Sequence, residues 1–92
     1  MSASSVSTTA DVAAVTGGGT LLSVSLTPAA AVSNLTVYDN TAASGTILCT
    51  LQAAANGSSA QRLFQFGVIF SIGVFLDIGG ASASADIEFI RG

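Results

Sequence analysis

Charged residues are scarce in this sequence of 92 residues: only 8% are Asp, Glu, Lys or Arg, against roughly 25% in a typical soluble domain. Histidine and lysine are absent, and Arg62 and Arg91 are the only cations. Two arginines cannot form the basic patch that neutralises nucleic-acid phosphates or holds an anionic membrane surface. We therefore expect neither nucleic acid nor membrane as a partner.

The net charge of −3 is small, so charge repulsion alone does not keep copies of the chain apart. A surface this neutral favours a protein packed against copies of itself or against a partner. The alternative is a solitary domain whose many Ser and Thr hydroxyls provide its solvation.

The residue types that most often carry out catalysis are also few. Without histidine, no imidazole is present to activate Cys49 or a serine as a nucleophile. The single cysteine allows no intrachain disulfide, and Cys49 is interpreted as a small core residue. Asp86 and Glu88 could form a glycosidase pair or a calcium site, but a solvated strand face explains them better. We predict a non-enzymatic protein with no catalytic residue, no metal ligand and no cofactor site.

No targeting signal is visible, because the first 61 residues contain no cation and the chain opens on polar residues. We therefore expect synthesis in the cytoplasm. Residues 63–80 are the most apolar stretch and could suggest a membrane helix. Their apolar run is interrupted by Gln65 and glycines and is shorter than the roughly 20 residues that span a bilayer.

Residues 63–80 instead show a period of two, which is typical of β-strands. Breaks at Gly67 and Gly73 divide this stretch into three short strands, in which the apolar side chains predict the core. The residues predicted to share a face are Phe64 with Phe66, then Val68 with Phe70 and Ile72, and then Val74 with Leu76 and Ile78.

The rest of the chain follows the same pattern, with Gly, Ser and Ala in the loops. The residues predicted to point inward are Leu22, Val24, Leu26, Leu35, Val37, Ile47, Cys49, Leu51, Ile87 and Phe89. About eight short strands without a helix predict an all-β fold, either an antiparallel β-sandwich or a small jelly roll. Residues 1–9 are expected to be a flexible N-terminal arm, and residues 10–92 a single domain.

Four residues are candidates for an oligomer or partner interface. Arg62 stands directly before the aromatic stretch, where it could anchor an interface or act as a solvated charge on a strand edge. Ile90 lies on the outward face of the last predicted strand, which indicates a contact there. Tyr38, the only tyrosine, and Phe75 complete the set.

Several segments together carry a resemblance to a known class of proteins. They are residues 37–40 (VYDN), residues 43–46 (ASGT) and the run of glycines and aromatics from Gly67 to Val74. Their order resembles that of small structural proteins of tailed-bacteriophage virions, in particular capsid decoration or cement proteins. The resemblance implies a β-rich homotrimer on the outer capsid surface that binds and stabilises the major capsid protein shell.

Two alternatives remain open. A tail, fibre or head–tail connector component would also be a structural phage protein, but would be present in few copies. A carbohydrate-binding module would also fit a β-sandwich, although such modules stack sugars on exposed aromatic rings. The chain has no tryptophan and one tyrosine, which disfavours the carbohydrate-binding module.

Overall fold

The structure, a computed structural model, describes residues 4–29, 32–55, 57, 59–79 and 83–91. Within this part of the chain there is no helix, and every strand pairing is antiparallel. The strands are β1 (Ser4–Thr8), β2 (Val12–Thr16), β3 (Gly19–Thr27), β4 (Ser33–Asp39), β5 (Thr46–Ala53), β6 (Ala60–Phe70), β7 (Gly73–Gly79) and β8 (Ser84–Arg91). The all-β prediction is confirmed.

Two four-stranded sheets form a sandwich. The first sheet, sheet A, has the order β1-β8-β3-β6, and the second, sheet B, has the order β2-β7-β4-β5. The pairings are nested, since β1 pairs with β8, β2 with β7, β3 with β6 and β4 with β5. This is the connectivity of a jelly roll, in which one long hairpin is folded over into two sheets.

The two sheets enclose one hydrophobic core. Its fully enclosed members come from both sheets, which is how a sandwich removes its inner faces from water. They include Leu21, Val24 and Leu26 of β3, Leu35 and Val37 of β4, Phe70 of β6, Val74 and Leu76 of β7, and Ile87 and Phe89 of β8.

Alternation predicts the inward faces correctly wherever a strand is regular. In β4, Leu35 and Val37 are buried, and in β8, Ile87 and Phe89 are buried while Glu88 is exposed. Cys49 is also buried, as the sequence predicts. Strands β4 and β8 follow the period of two without a change of phase.

The inward prediction is wrong at two residues because β-bulges change the phase of the alternation. In β3 the register shifts between Leu21 and Ser23, so Leu21 is buried and Leu22 is only half-buried. In β5, Ile47 pairs with Tyr38 across another shift and is 54% exposed. A bulge adds one residue to a strand, and side chains beyond it change face.

The aromatic stretch is also organised differently from the prediction. Gly67 does not end a strand but lies within β6, and only Gly73 begins a new one. Phe66 is exposed and Phe64 is partly buried, so these two rings do not share a core face. Ile72 lies in the turn between β6 and β7 and is exposed, unlike Phe70.

The predicted N-terminal arm contains a strand. Residues 1–3 lie outside the described residues, but Ser4–Thr8 form β1 and pair with β8 from Phe89 to Ala85. Val6 packs against the core. These five residues of the predicted arm thus form a strand that closes one edge of sheet A.

The turn between β6 and β7 is held by a carboxylate from β4. Asp39 Oδ1 accepts hydrogen bonds from the backbone N–H groups of Ser71 at 3.0 Å and of Ile72 at 2.9 Å. These N–H groups lower the pKa of Asp39, with the bond from Ile72 the largest cause. Asp39, at the end of β4, thus stabilises a turn that lies more than 30 residues later in the sequence.

Candidate interaction surface

The most exposed large apolar side chains of the described chain lie together on β6. Leu63 is 72% exposed, Phe66 is 92% exposed and Ile69 is 78% exposed. Strand β6 is an edge of sheet A, with β3 as its only strand neighbour in the described structure. We refer to Leu63, Phe66 and Ile69 as the β6 apolar edge.

A bulge places Phe66 at the surface. Leu21 pairs with Val68 and Ser23 pairs with Leu63, so four residues of β6 face a single residue, Leu22, of β3. The residues of β6 from Phe64 to Gly67 therefore have no directly paired residue in β3. Phe66 is consequently separated from the core.

Glycine is required at position 67 for two reasons. The residue has a φ of +78°, a left-handed conformation that side chains with a Cβ atom disfavour. A Cβ atom at this position would also collide with Cγ2 of Thr20. Gly67 therefore determines where the bulge forms.

The β6 apolar edge lies on the side of the sandwich where the two sheets present neighbouring edges. Strand β5, an edge of sheet B, contacts β6. Arg62 is exposed on β6 and lies opposite Val24 of β3. Burial raises the pKa of the Cys49 thiol on β5, and the positive charge of Arg62 partly opposes this shift. Arg62 thus belongs to the border between the sheets.

Tyr38 and Phe75, two of the candidates from the sequence, lie directly opposite each other on adjacent strands. Ile47 pairs with Tyr38, and Ala13 pairs with Phe75. Because the neighbouring residues of β4 and β7 point into the core, this cross-strand row lies on the outer face of sheet B. Tyr38 and Phe75 are each half-buried.

Ile90 belongs to the other sheet. It lies opposite Thr20 of β3, and Thr20 in turn lies opposite Ile69 of β6. Ile90 is half-buried on the outer face of sheet A. The structure therefore brings Tyr38 and Phe75 together, but it places Arg62 and Ile90 at separate locations.

The rest of the outer face of sheet A is polar. The hydroxyl of Ser23 donates a hydrogen bond to Glu88 at 3.1 Å, and that of Ser25 donates one to Asp86 at 3.5 Å. A shallow groove of about 300 Å³ runs over these residues. Both carboxylates are exposed, which agrees with the interpretation of Asp86 and Glu88 as a solvated strand face.

A second pair of carboxylates, Asp11 and Asp77, lies at sheet B, where Asp77 belongs to β7. Asp11 accepts a hydrogen bond from the backbone N–H of Ile78 at 2.8 Å. Burial raises the pKa of Asp77, and the neighbouring charge of Asp11 raises it further. The pair is a site of electrostatic repulsion at neutral pH.

Neither carboxylate pair gathers further ligating side chains. Among the described residues, no three or more His, Cys, Asp or Glu side chains converge in a way that could hold a metal ion. The described residues also form no apolar helix of membrane-spanning length. The apolar stretch that could suggest such a helix lies in β6 and β7.

The β6 apolar edge was missed by the candidate set, although a signal for it exists in the sequence. Leu63 and Phe64 are neighbours in one strand, as are Val68 and Ile69. A strand with apolar residues on both faces must either be buried on both sides or present one side to a partner. The prediction of a single inward face did not use this signal.

Comparison of the chain with protein-family models, with curated proteins and with solved structures finds no match.

Proposed function

We propose that this chain is a non-enzymatic structural protein of a bacteriophage virion, a decoration or cement protein that binds the outer capsid surface and stabilises the shell. The observation that carries the proposal is the β6 apolar edge, because large apolar side chains on a strand at the edge of a sheet are typical of an interaction site. The resemblance described above supports the phage context and implies a homotrimer bound to the major capsid protein.

Two properties of the fold support an assembly role. Jelly rolls occur in viral capsid proteins, although the same fold also serves lectins and enzymes, so the fold is supporting rather than decisive. The chain is poor in charge, and contacts with neighbours must therefore come from apolar burial and backbone pairing. The β6 apolar edge offers both.

The copy number of the chain in purified virions tests the proposal. Quantitative mass spectrometry should find the chain at a copy number of the same order as that of the major capsid protein, with a known tail protein as the low-copy reference. A few copies per particle would contradict a decoration role and favour the tail, fibre or connector alternative. Absence from the particle would refute any structural role in the virion.

A second test addresses stabilisation of the shell. Particles that lack the chain should release their DNA at a lower temperature than complete particles, and added purified protein should restore the original temperature. A dye that becomes fluorescent on binding DNA reports the release during heating. Identical release temperatures with and without the chain would contradict the cement function.

A further inference from the structure

We propose that β6 pairs antiparallel with β6 of a second copy, about a two-fold axis that passes through Phe66. The contact would join two copies of sheet A into one continuous sheet of eight strands. This inference concerns the chain in solution. It assigns a dimer in place of the homotrimer that the resemblance implies, and it does not depend on the proposed role in a virion.

The spacing of the β6 apolar edge is symmetric about its central residue. Leu63 and Ile69 lie three residues to either side of Phe66. In the two-fold register, Leu63 lies opposite the partner's Ile69, and Phe66 lies opposite its own copy. An isologous contact must be complementary to itself, and here every exposed apolar side chain of the edge meets another.

The two-fold register also matches the faces of the paired residues. Leu63 lies opposite Ser23, and Ile69 lies opposite Thr20, so both point to the outer face of sheet A. Phe64 would lie opposite the partner's Val68, and both residues are partly buried against the core on the inner face. Since side chains of a directly opposed antiparallel pair share one face, the pairs on either side of the bulge are consistent with this register.

Charge does not oppose the contact. Arg62 is the only charged residue of β6, and the two-fold register sets it opposite the partner's Phe70. Arg62 and Phe70 pair with Val24 and Gly19 of β3, five residues apart, so the two copies of Arg62 would be separated by about 17 Å at 3.3 Å per residue. Natural edge strands often carry charges that prevent pairing. In β6, from Ala60 to Phe70, Arg62 is charged and Gly67 has a positive φ, and the other nine of the eleven residues have neither property.

The exposed area is sufficient for a small stable interface. A fully exposed large apolar residue presents about 200 Å², so the β6 apolar edge leaves roughly 450 Å² of each copy in contact with water. Burial of both edges, together with the neighbouring backbone, approaches the roughly 1,200 Å² of the smallest specific interfaces. The other edges offer less. Strand β1 is SSVST and β2 is VAAVT, and β5 exposes one large apolar side chain, Ile47 at 54%.

Light scattering of the full chain over a concentration series provides the first test. The proposal predicts a mass of about 18 kDa, twice the 9.0 kDa of one chain. Phe66→Asp should weaken the dimer at least tenfold, because it sets two like charges against each other at the axis. The matched control is Val32→Asp, which adds the same charge at a residue that is 51% exposed outside β6, and it should leave the dimer unchanged.

Each other outcome of this experiment overturns the proposal. A monomer at all concentrations excludes the contact. A mass of three chains favours the three-fold symmetry that the resemblance implies, and a mass that grows without limit indicates an open head-to-tail contact. Equal effects of the two Asp variants would place the contact elsewhere, while circular dichroism confirms that both variants are folded.

Disulfide trapping tests the register itself. In a Cys49→Ala background, a mixture of Leu63→Cys and Ile69→Cys chains should form a mixed disulfide, because these positions are directly opposed. Leu63→Cys alone should not form a disulfide with itself. Leu63 and Ile69 pair with Ser23 and Thr20 of β3, three residues apart, so the two copies of Leu63 would lie about 10 Å apart at 3.3 Å per residue, beyond the roughly 7 Å Cα–Cα reach of a disulfide. Efficient self-linking of Leu63→Cys, or failure of the mixed pair to link, would refute the two-fold register.

Discussion

Replacement of Phe70 by alanine probes the core at its largest enclosed side chain. Phe70 is 1% exposed, and its ring lies so close to Gly19 that a Cβ atom there would come within 2.8 Å of Cζ. Phe70→Ala therefore leaves a cavity enclosed by both sheets. Such a truncation costs about 3–5 kcal/mol, against a total stability of about 5–14 kcal/mol for a domain of this length.

Urea unfolding followed by far-ultraviolet circular dichroism measures this loss. The corresponding decrease in melting temperature is about 15–30 °C. Phe66→Ala is the matched control, because it removes the same ring four residues earlier in the same strand. With Phe66 exposed, this variant should change the monomer's stability by no more than about 0.5 kcal/mol. Similar losses for the two variants would refute the assignment of faces along β6.

The remaining predictions concern two carboxylates and the bulge. The folded-state pKa of Asp77 is raised, so the charge of Asp77 lowers the stability of the fold as pH rises above about 4. Asp77→Asn should therefore increase the free energy of unfolding by roughly 0.5 kcal/mol at pH 7 and leave it unchanged at pH 3. Urea titrations at both pH values measure this difference. The pKa of Asp39 is lowered, so its ionised carboxylate stabilises the fold above about pH 4, and this stabilisation is lost on acidification. Asp39→Ala should therefore cost about 1–2 kcal/mol of stability at pH 7. A cost that does not become smaller below pH 3 would contradict this. Gly67→Ala should cost at least about 1 kcal/mol in a thermal melt, from its positive φ and its collision with Thr20, and an unchanged melting temperature would show that the bulge is dispensable.

The sequence predicts much of the fold because most strands are regular. In β4 and β8, alternation alone identifies Leu35, Val37, Ile87 and Phe89 as core residues, and all four are buried. Strands β4 and β5 form a hairpin, and the side-chain amide of Asn40 closes its loop by donating a 2.9 Å hydrogen bond to the carbonyl of Ser44. These features depend on local signals, which a single sequence contains.

Features that depend on distant residues could not be predicted in this way. Strand β1 consists of small polar residues around Val6 and exists as a strand through its pairing with β8, more than 75 residues later in the chain. The bulges that expose Ile47 and bury Leu21 arise from register between strands. No local pattern in the sequence indicates such a change of phase.

The candidate surface was predicted only in part. Arg62 lies on the edge strand that carries the β6 apolar edge, and Tyr38 and Phe75 adjoin each other, but Leu63 and Phe66 were assigned to the apolar stretch without an interface role. Their exposure follows from the position of β6 at the edge of sheet A and from its bulge. Both properties depend on topology rather than on the local sequence.

The location of the chain in a reconstructed virion tests the central proposal most directly. The proposed function predicts that electron cryomicroscopy of virions that contain the chain will show eight-stranded jelly rolls on the outer capsid surface, with β6 in contact with a neighbouring subunit. Density at the tail or at a single vertex would contradict the decoration function. Jelly rolls on the capsid with β6 facing solvent would contradict the assignment of the β6 apolar edge as the interaction surface.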